Sequence, residues 1–90
     1  MDKVRIESLI KWWKETDTQG IDVEKHLTEP LMEAFGEDVT AIIEYLNTLE
    51  VDDLIVASSA FEDIYKKFMT DDVWKALGAL EQRLKESNQI

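Results

Sequence analysis

The sequence predicts an all-α protein, a compact bundle of four main helices plus one short helix. Three observations carry that reading. Apolar residues recur at i, i+3, i+4 and i+7 through most of the chain. The one β-leaning run, "LIVASSAF", lies inside a helical period with no turn signal beside it. The segments between periodic stretches are only a few residues long, which makes successive helices pack roughly antiparallel. Ninety residues are too few for two cores, so residues 1–90 read as a single helical domain.

The first helix carries Ile6, Leu9, Ile10 and Trp13 on one stripe, and Gly20, after the polar run "KETDTQG", is the expected stop. Its "SLIKWWKET" stretch sets two tryptophans side by side, and neighbours on a helix point about 100° apart. Trp13 lies on the stripe and is the predicted core ring. Trp12 lies about 110° round, beside Arg5 and Ser8, at the edge of the core or on the surface.

The next segment, "IDVEKHLTEPLMEAFG", is the least regular. Asp22 is expected to cap a short turn through His26. Thr28 is expected to cap a second short helix, with Pro30 in its first turn and Gly36 at its end. Val39, Ile42, Ile43, Leu46 and Leu49 then form a clean stripe. "VDDLIVASSAFEDIYKKFM" predicts one longer helix with Leu54, Ala57, Phe61, Ile64, Tyr65 and Phe68 on one face. Asp52 and Asp53 at its start and Lys66 and Lys67 near its end suit the helix dipole. Thr70 is a natural cap for the last helix, whose inward residues are Val73, Leu77, Leu80 and Leu84. Gly78 inside that helix costs up to about 1 kcal/mol relative to alanine, which predicts the close approach of another helix. The final "SNQI" is expected to fray.

Hydrophobic residues at 44% and charged residues at 33% describe a globular chain that folds. There is no cysteine, hence no disulfide and no thiolate metal site. The start, "MDKVRIESLIKWWKE", is charged throughout, unlike a cleaved signal peptide, and the longest charge-free run, Leu54 to Phe61, is too short for a bilayer. A cytoplasmic location is the expectation. The net charge of −10 is concentrated: residues 20–65 hold twelve acids against Lys25 alone. Such a field repels nucleic acid and anionic membrane and attracts a basic protein partner.

Residues suited to catalysis are few. His26, the single histidine, sits in "DVEKHLTEP", which fits no catalytic or metal pattern, and Val23 stands where a Glu-x-x-His pair needs glutamate. The acidic doublets Glu37-Asp38, Asp52-Asp53, Glu62-Asp63 and Asp71-Asp72 lack calcium-loop spacing. Three of them fall where a helix begins and favour its dipole; Glu62-Asp63 falls mid-helix and has no such reason. With no phosphate loop and no nucleophile elbow, the chain reads as a non-enzyme without cofactor, catalytic residues or metal ligands.

A binding surface is the more informative expectation. On the long helix Ile55 and Val56 lie about 120° and about 140° from the centre of the apolar face, on opposite sides. Ser59, Glu62, Asp63 and Lys66 share this back side. Apolar points ringed by charge have the composition of a protein-binding patch. Trp12 and Trp74 join them as aromatic candidates, Trp74 lying about 90° off its own stripe.

Within residues 42–84, Ser59-Ala60-Phe61-Glu62-Asp63-Ile64 follows an acidic turn, and Lys67, Phe68, a second acidic turn and an amphipathic helix come after it. This half of the chain resembles the second half of small, acidic, all-helical bacterial proteins of the polymorphic-toxin immunity type. The resemblance implies a cytoplasmic protein that neutralises a toxin by binding it, with Phe61 and Ile64 in the core and Glu62 and Asp63 facing the partner. The alternative is a structural homo-oligomer, a homodimer in its simplest form, burying Trp12, Ile55, Val56 and Trp74 against a symmetry mate.

Overall fold

Two of the helices in this protein start on an aspartate and one on a threonine. In the computed structural model, which describes residues 1–87, Asp2 accepts a hydrogen bond from the Arg5 amide at 3.0 Å and starts α1, Lys3–Glu15. Asp38 does the same for α3, Val39–Thr48, accepting from the Ala41 amide at 3.1 Å. Thr70 Oγ1 accepts from the Val73 amide at 3.3 Å and starts α6, Asp71–Ser87, as its sequence position suggests. The fraying expected of residues 87–90 falls mostly on 88–90, which lie outside the described residues; Ser87, the last described residue, is still helical.

Between Asp22 and Gly36 the short turn and the short helix foreseen are one continuous helical path. Asp22 accepts from the Glu24 and Lys25 amides at 3.0 and 3.4 Å, as foreseen for a cap. A π turn over Glu24–Thr28 then runs directly into α2, Glu29–Phe35. Pro30 supplies the reason. It has no N–H to donate and its ring crowds the carbonyl four residues back, so the wider π turn, closed by the Glu29 amide on the Glu24 carbonyl, relieves the path before it. Thr28 is therefore not a cap: it is helical and buried, and its hydroxyl donates to the Ser59 carbonyl at 3.5 Å.

The long helix foreseen over 51–69 is interrupted. It forms α4, Val51–Ala57, then a 3₁₀ turn, Ser58–Ala60, then α5, Phe61–Phe68. Two serines, weak helix formers, occupy the break, where the Ser58 hydroxyl donates to the Ile55 carbonyl at 2.6 Å. Helix α5 closes at Met69, whose left-handed φ of 43° is the one positive value among described non-glycine residues. Counting α4, the 3₁₀ turn and α5 as one path, the protein is an all-α bundle of four main helices and the short α2, with no strand among the described residues.

Ile6 and Ile10 of α1, Leu31 and Phe35 of α2, and Ile42 and Leu46 of α3 are fully or nearly fully buried in one cluster. Helix α4 packs between α1 and α6, and α6 lies against α3, α4 and α5, contributing Val73, Leu77 and Leu80. Each such side chain contributes about 1.5–3 kcal/mol by leaving water. Trp13 is half-buried against this cluster and Trp12 is 39% exposed, so the pair is ordered as the helical stripe foresees. Arg83 donates to the Leu49 carbonyl and so satisfies the C-terminal end of α3. The exposed ion pairs Arg5–Glu33 (3.1 Å), Lys14–Asp53 (2.7 Å) and Lys67–Glu37 (2.8 Å) tie elements together while adding little stability. No helix among the described residues is long and apolar enough to cross a membrane.

Candidate functional site

The two-residue turn Met69–Thr70 folds α5 and α6 back on each other, and a groove of about 370 Å³ runs between them. It pairs positions at matching distances from that turn: Tyr65 stands opposite Trp74, and Phe61 opposite Gly78. Phe61 and Leu77, both buried, form its floor. The Tyr65 and Trp74 rings meet at 4.9 Å between centroids and 57° between planes, a tilted contact that holds the indole in place. Trp74 is nevertheless 62% exposed. Glu62 on α5 and Glu81 on α6 complete the lining with two carboxylates.

Gly78 does not serve the role its position suggests. No heavy atom comes within 4 Å of the point where its Cβ would stand, so no helix approaches there. A helix-interior glycine that costs about 1 kcal/mol without a packing partner leaves one visible consequence, a gap in the groove wall.

The sequence-derived surface is only partly assembled. Glu62 and Trp74, chosen on different helices for different reasons, line the same groove. Ile55 is 48% exposed on α4, but Val56 is only 8% exposed and is not a surface residue. With α1 and α6 both packed on the seven-residue α4, two of its sides are covered. Ser59 is half-buried in the 3₁₀ turn and its hydroxyl oxygen is buried without a partner. Asp63 is half-buried. Because α5 starts at Phe61, Glu62 and Asp63 lie in a first helical turn, and the fourth acidic doublet has the same dipole reason as the other three. Trp12 lies on α1, outside the groove lining.

Tyr65, Gly78 and Glu81 were not singled out as site residues by sequence. Tyr65 has the spacing of the inner stripe, and only the position of α6 shows that it also walls a groove. The spacing Trp74, Gly78, Glu81 on one helix face was the available signal.

Glu62 Oε1 lies 3.0 Å from Lys66 Nζ one turn along. That hydrogen bond, then the carboxylate charge, raises the Lys66 pKa above its ordinary value. Both partners are exposed, so the pair is weakly held in solvent and the carboxylate is readily released to another cation.

A second cleft, of about 410 Å³, lies between α1 and the end of α3, with Lys11 and Lys14 facing Glu7, Glu15 and Asp53. It is larger, but its two lysines offset two of its three carboxylates and Lys14 is already bonded to Asp53. The Tyr45 hydroxyl is buried at its edge without a partner, and burial, then Glu7 and Asp53, push its pKa up. The groove, with an open aromatic face and unbalanced negative charge, is the stronger candidate. Among the described residues no group of three or more histidines, cysteines or carboxylates is placed to hold a metal ion.

No known protein family, curated protein or solved structure matches this chain.

Proposed function

We propose that this protein acts by binding another protein, as an inhibitor of the toxin-immunity type whose acidic surface occludes a basic partner in the cytoplasm. The observation that carries the reading is the exposed Trp74, held by Tyr65 over an apolar floor and flanked by Glu62 and Glu81. A fixed tryptophan with an apolar surround and a charged rim is the composition of a binding hot spot. The excess of eleven negative charges over residues 20–65 steers a basic surface toward the chain and raises the association rate. Inhibition is then steric and electrostatic, with no chemistry by this chain.

The test is affinity capture from the native cytoplasm at low salt, elution by a salt step, and reconstitution of the released protein with the purified chain. The reading expects a basic protein that forms a stoichiometric complex, loses its own activity in that complex, and is released by Trp74→Ala combined with Glu62→Lys. Recovery of the chain alone, sized as a dimer or larger, refutes it in favour of self-assembly through the exposed aromatic residues. A captured protein whose activity is unchanged in the complex refutes the inhibitory role.

A further inference from the structure

We propose that the α5–α6 groove is a socket for a single arginine side chain of the partner. The guanidinium lies against the Trp74 ring and between the Glu62 and Glu81 carboxylates. This rests on the protein-binding reading above and names the group that the binding surface recognises.

The socket's wall is fixed before anything binds. The Tyr65 ring contacts the indole at 4.9 Å between centroids, while Trp74 as a whole stays 62% exposed. Its depth comes from Gly78, one helical turn beyond Trp74, where any other residue would place a side chain and where nothing lies within 4 Å. Phe61 and Leu77 below supply an apolar seat for a methylene stem.

Charge selects the head group. Glu81 has no ion-pair partner among the described residues, and Glu62 is paired only with Lys66 of its own helix, at the surface. Two carboxylates beside an indole face form a site for a cation, and tryptophan is the strongest aromatic partner for one. A guanidinium suits it better than an ammonium. It is flat and stacks on the indole, it is less strongly hydrated, and its five N–H donors can serve both carboxylates at once.

The test uses the full chain and blocked amino acids as probes, followed through the Trp74 indole N–H and the Gly78 amide in two-dimensional NMR. N-acetyl-arginine methylamide should shift both signals saturably. The citrulline analogue, of the same shape but neutral, should bind about tenfold more weakly, and the lysine analogue should fall between the two. Gly78→Leu, which fills the socket, and Glu62→Gln with Glu81→Gln, which removes its charge, should each abolish the shift of the Trp74 indole N–H while the far-UV circular dichroism is unchanged. Gly78→Ala, the milder variant, should weaken binding without loss of fold. Equal binding of citrulline, equal binding of lysine, or arginine shifts confined to other residues overturns the proposal. Saturable arginine binding with no inhibited partner leaves the socket standing and removes the inhibitor reading. A partner that still binds Gly78→Leu undiminished does the reverse.

Discussion

Replacing Gly78 by alanine should stabilise this protein, against the usual direction of substitutions within a folded chain. Gly78 stands eighth in the 17-residue α6, is exposed, and has open space around its would-be Cβ. No contact is lost and no neighbour is displaced, so the difference is helix propensity, about 0.8–1 kcal/mol in favour of alanine. Part of that gain comes from the unfolded chain, which has fewer conformations to lose. For a domain of this size about 1 kcal/mol corresponds to a rise in Tm of about 4–8 °C. Urea unfolding followed by far-UV circular dichroism should show a higher midpoint with an unchanged slope, since the surface exposed on unfolding is the same. An unchanged or lower Tm would mean that a neighbour packs at this point, and Gly78 would then have a packing role instead of shaping the groove.

Tyr45→Phe should stabilise the protein by about 1 kcal/mol at neutral pH, because it removes a buried hydroxyl that lacks a partner. The same variant should resist alkali better: burial, then Glu7 and Asp53, raise the folded-state phenol above 10.0, so the unfolded chain ionises first. The stability linked to that proton is present below about pH 10 and lost as pH rises through the folded pKa, and the raised values of Lys14 and Lys66 act in the same direction. Parallel stability curves for the two proteins above pH 10 would refute this. Asp38→Ala should cost about 1 kcal/mol through loss of the α3 cap, read as a lower Tm, and an unchanged Tm would deny the cap its role. Met69→Gly should stabilise the protein by up to about 1 kcal/mol through relieved left-handed strain, read as a higher Tm, since Met69 is 71% exposed and sacrifices little packing; a lower Tm would show that the methionine side chain is needed.

Much of the architecture was legible along the chain because helical periodicity is a local property. The inward stripes of α3 and α6 are buried or half-buried as their spacing foresees, and Asp22 and Thr70 cap where their side chains suggest. What periodicity could not show was where a helix changes its winding. The π turn before Pro30 and the 3₁₀ turn at Ser58–Ala60 sit at known helix-disfavouring residues, yet the path continues through both because buried neighbours on either side hold it. That continuation is a tertiary outcome, while the change of winding at Ser58–Ala60 places Glu62 and Asp63 in the first turn of α5 instead of mid-helix.

The candidate site divides in the same way. Its charge and its aromatic residues are countable in the sequence, and Glu62 and Trp74 stood out there for their composition and their angle on a helix wheel. Whether an off-stripe residue is covered depends on how many helices pack around its own. Val56 is covered because α4 packs against both α1 and α6, while Trp74, in the first turn of α6, points off that helix's inner stripe and meets the Tyr65 ring of α5 while staying open to solvent. Residue identity and spacing therefore determined the elements and the negative field of this protein. The tertiary packing alone decided which apolar side chains remain at the surface and that a glycine, two glutamates and a tryptophan share one groove. The reason is that exposure belongs to the arrangement of helices around a position, and no single helix carries that information.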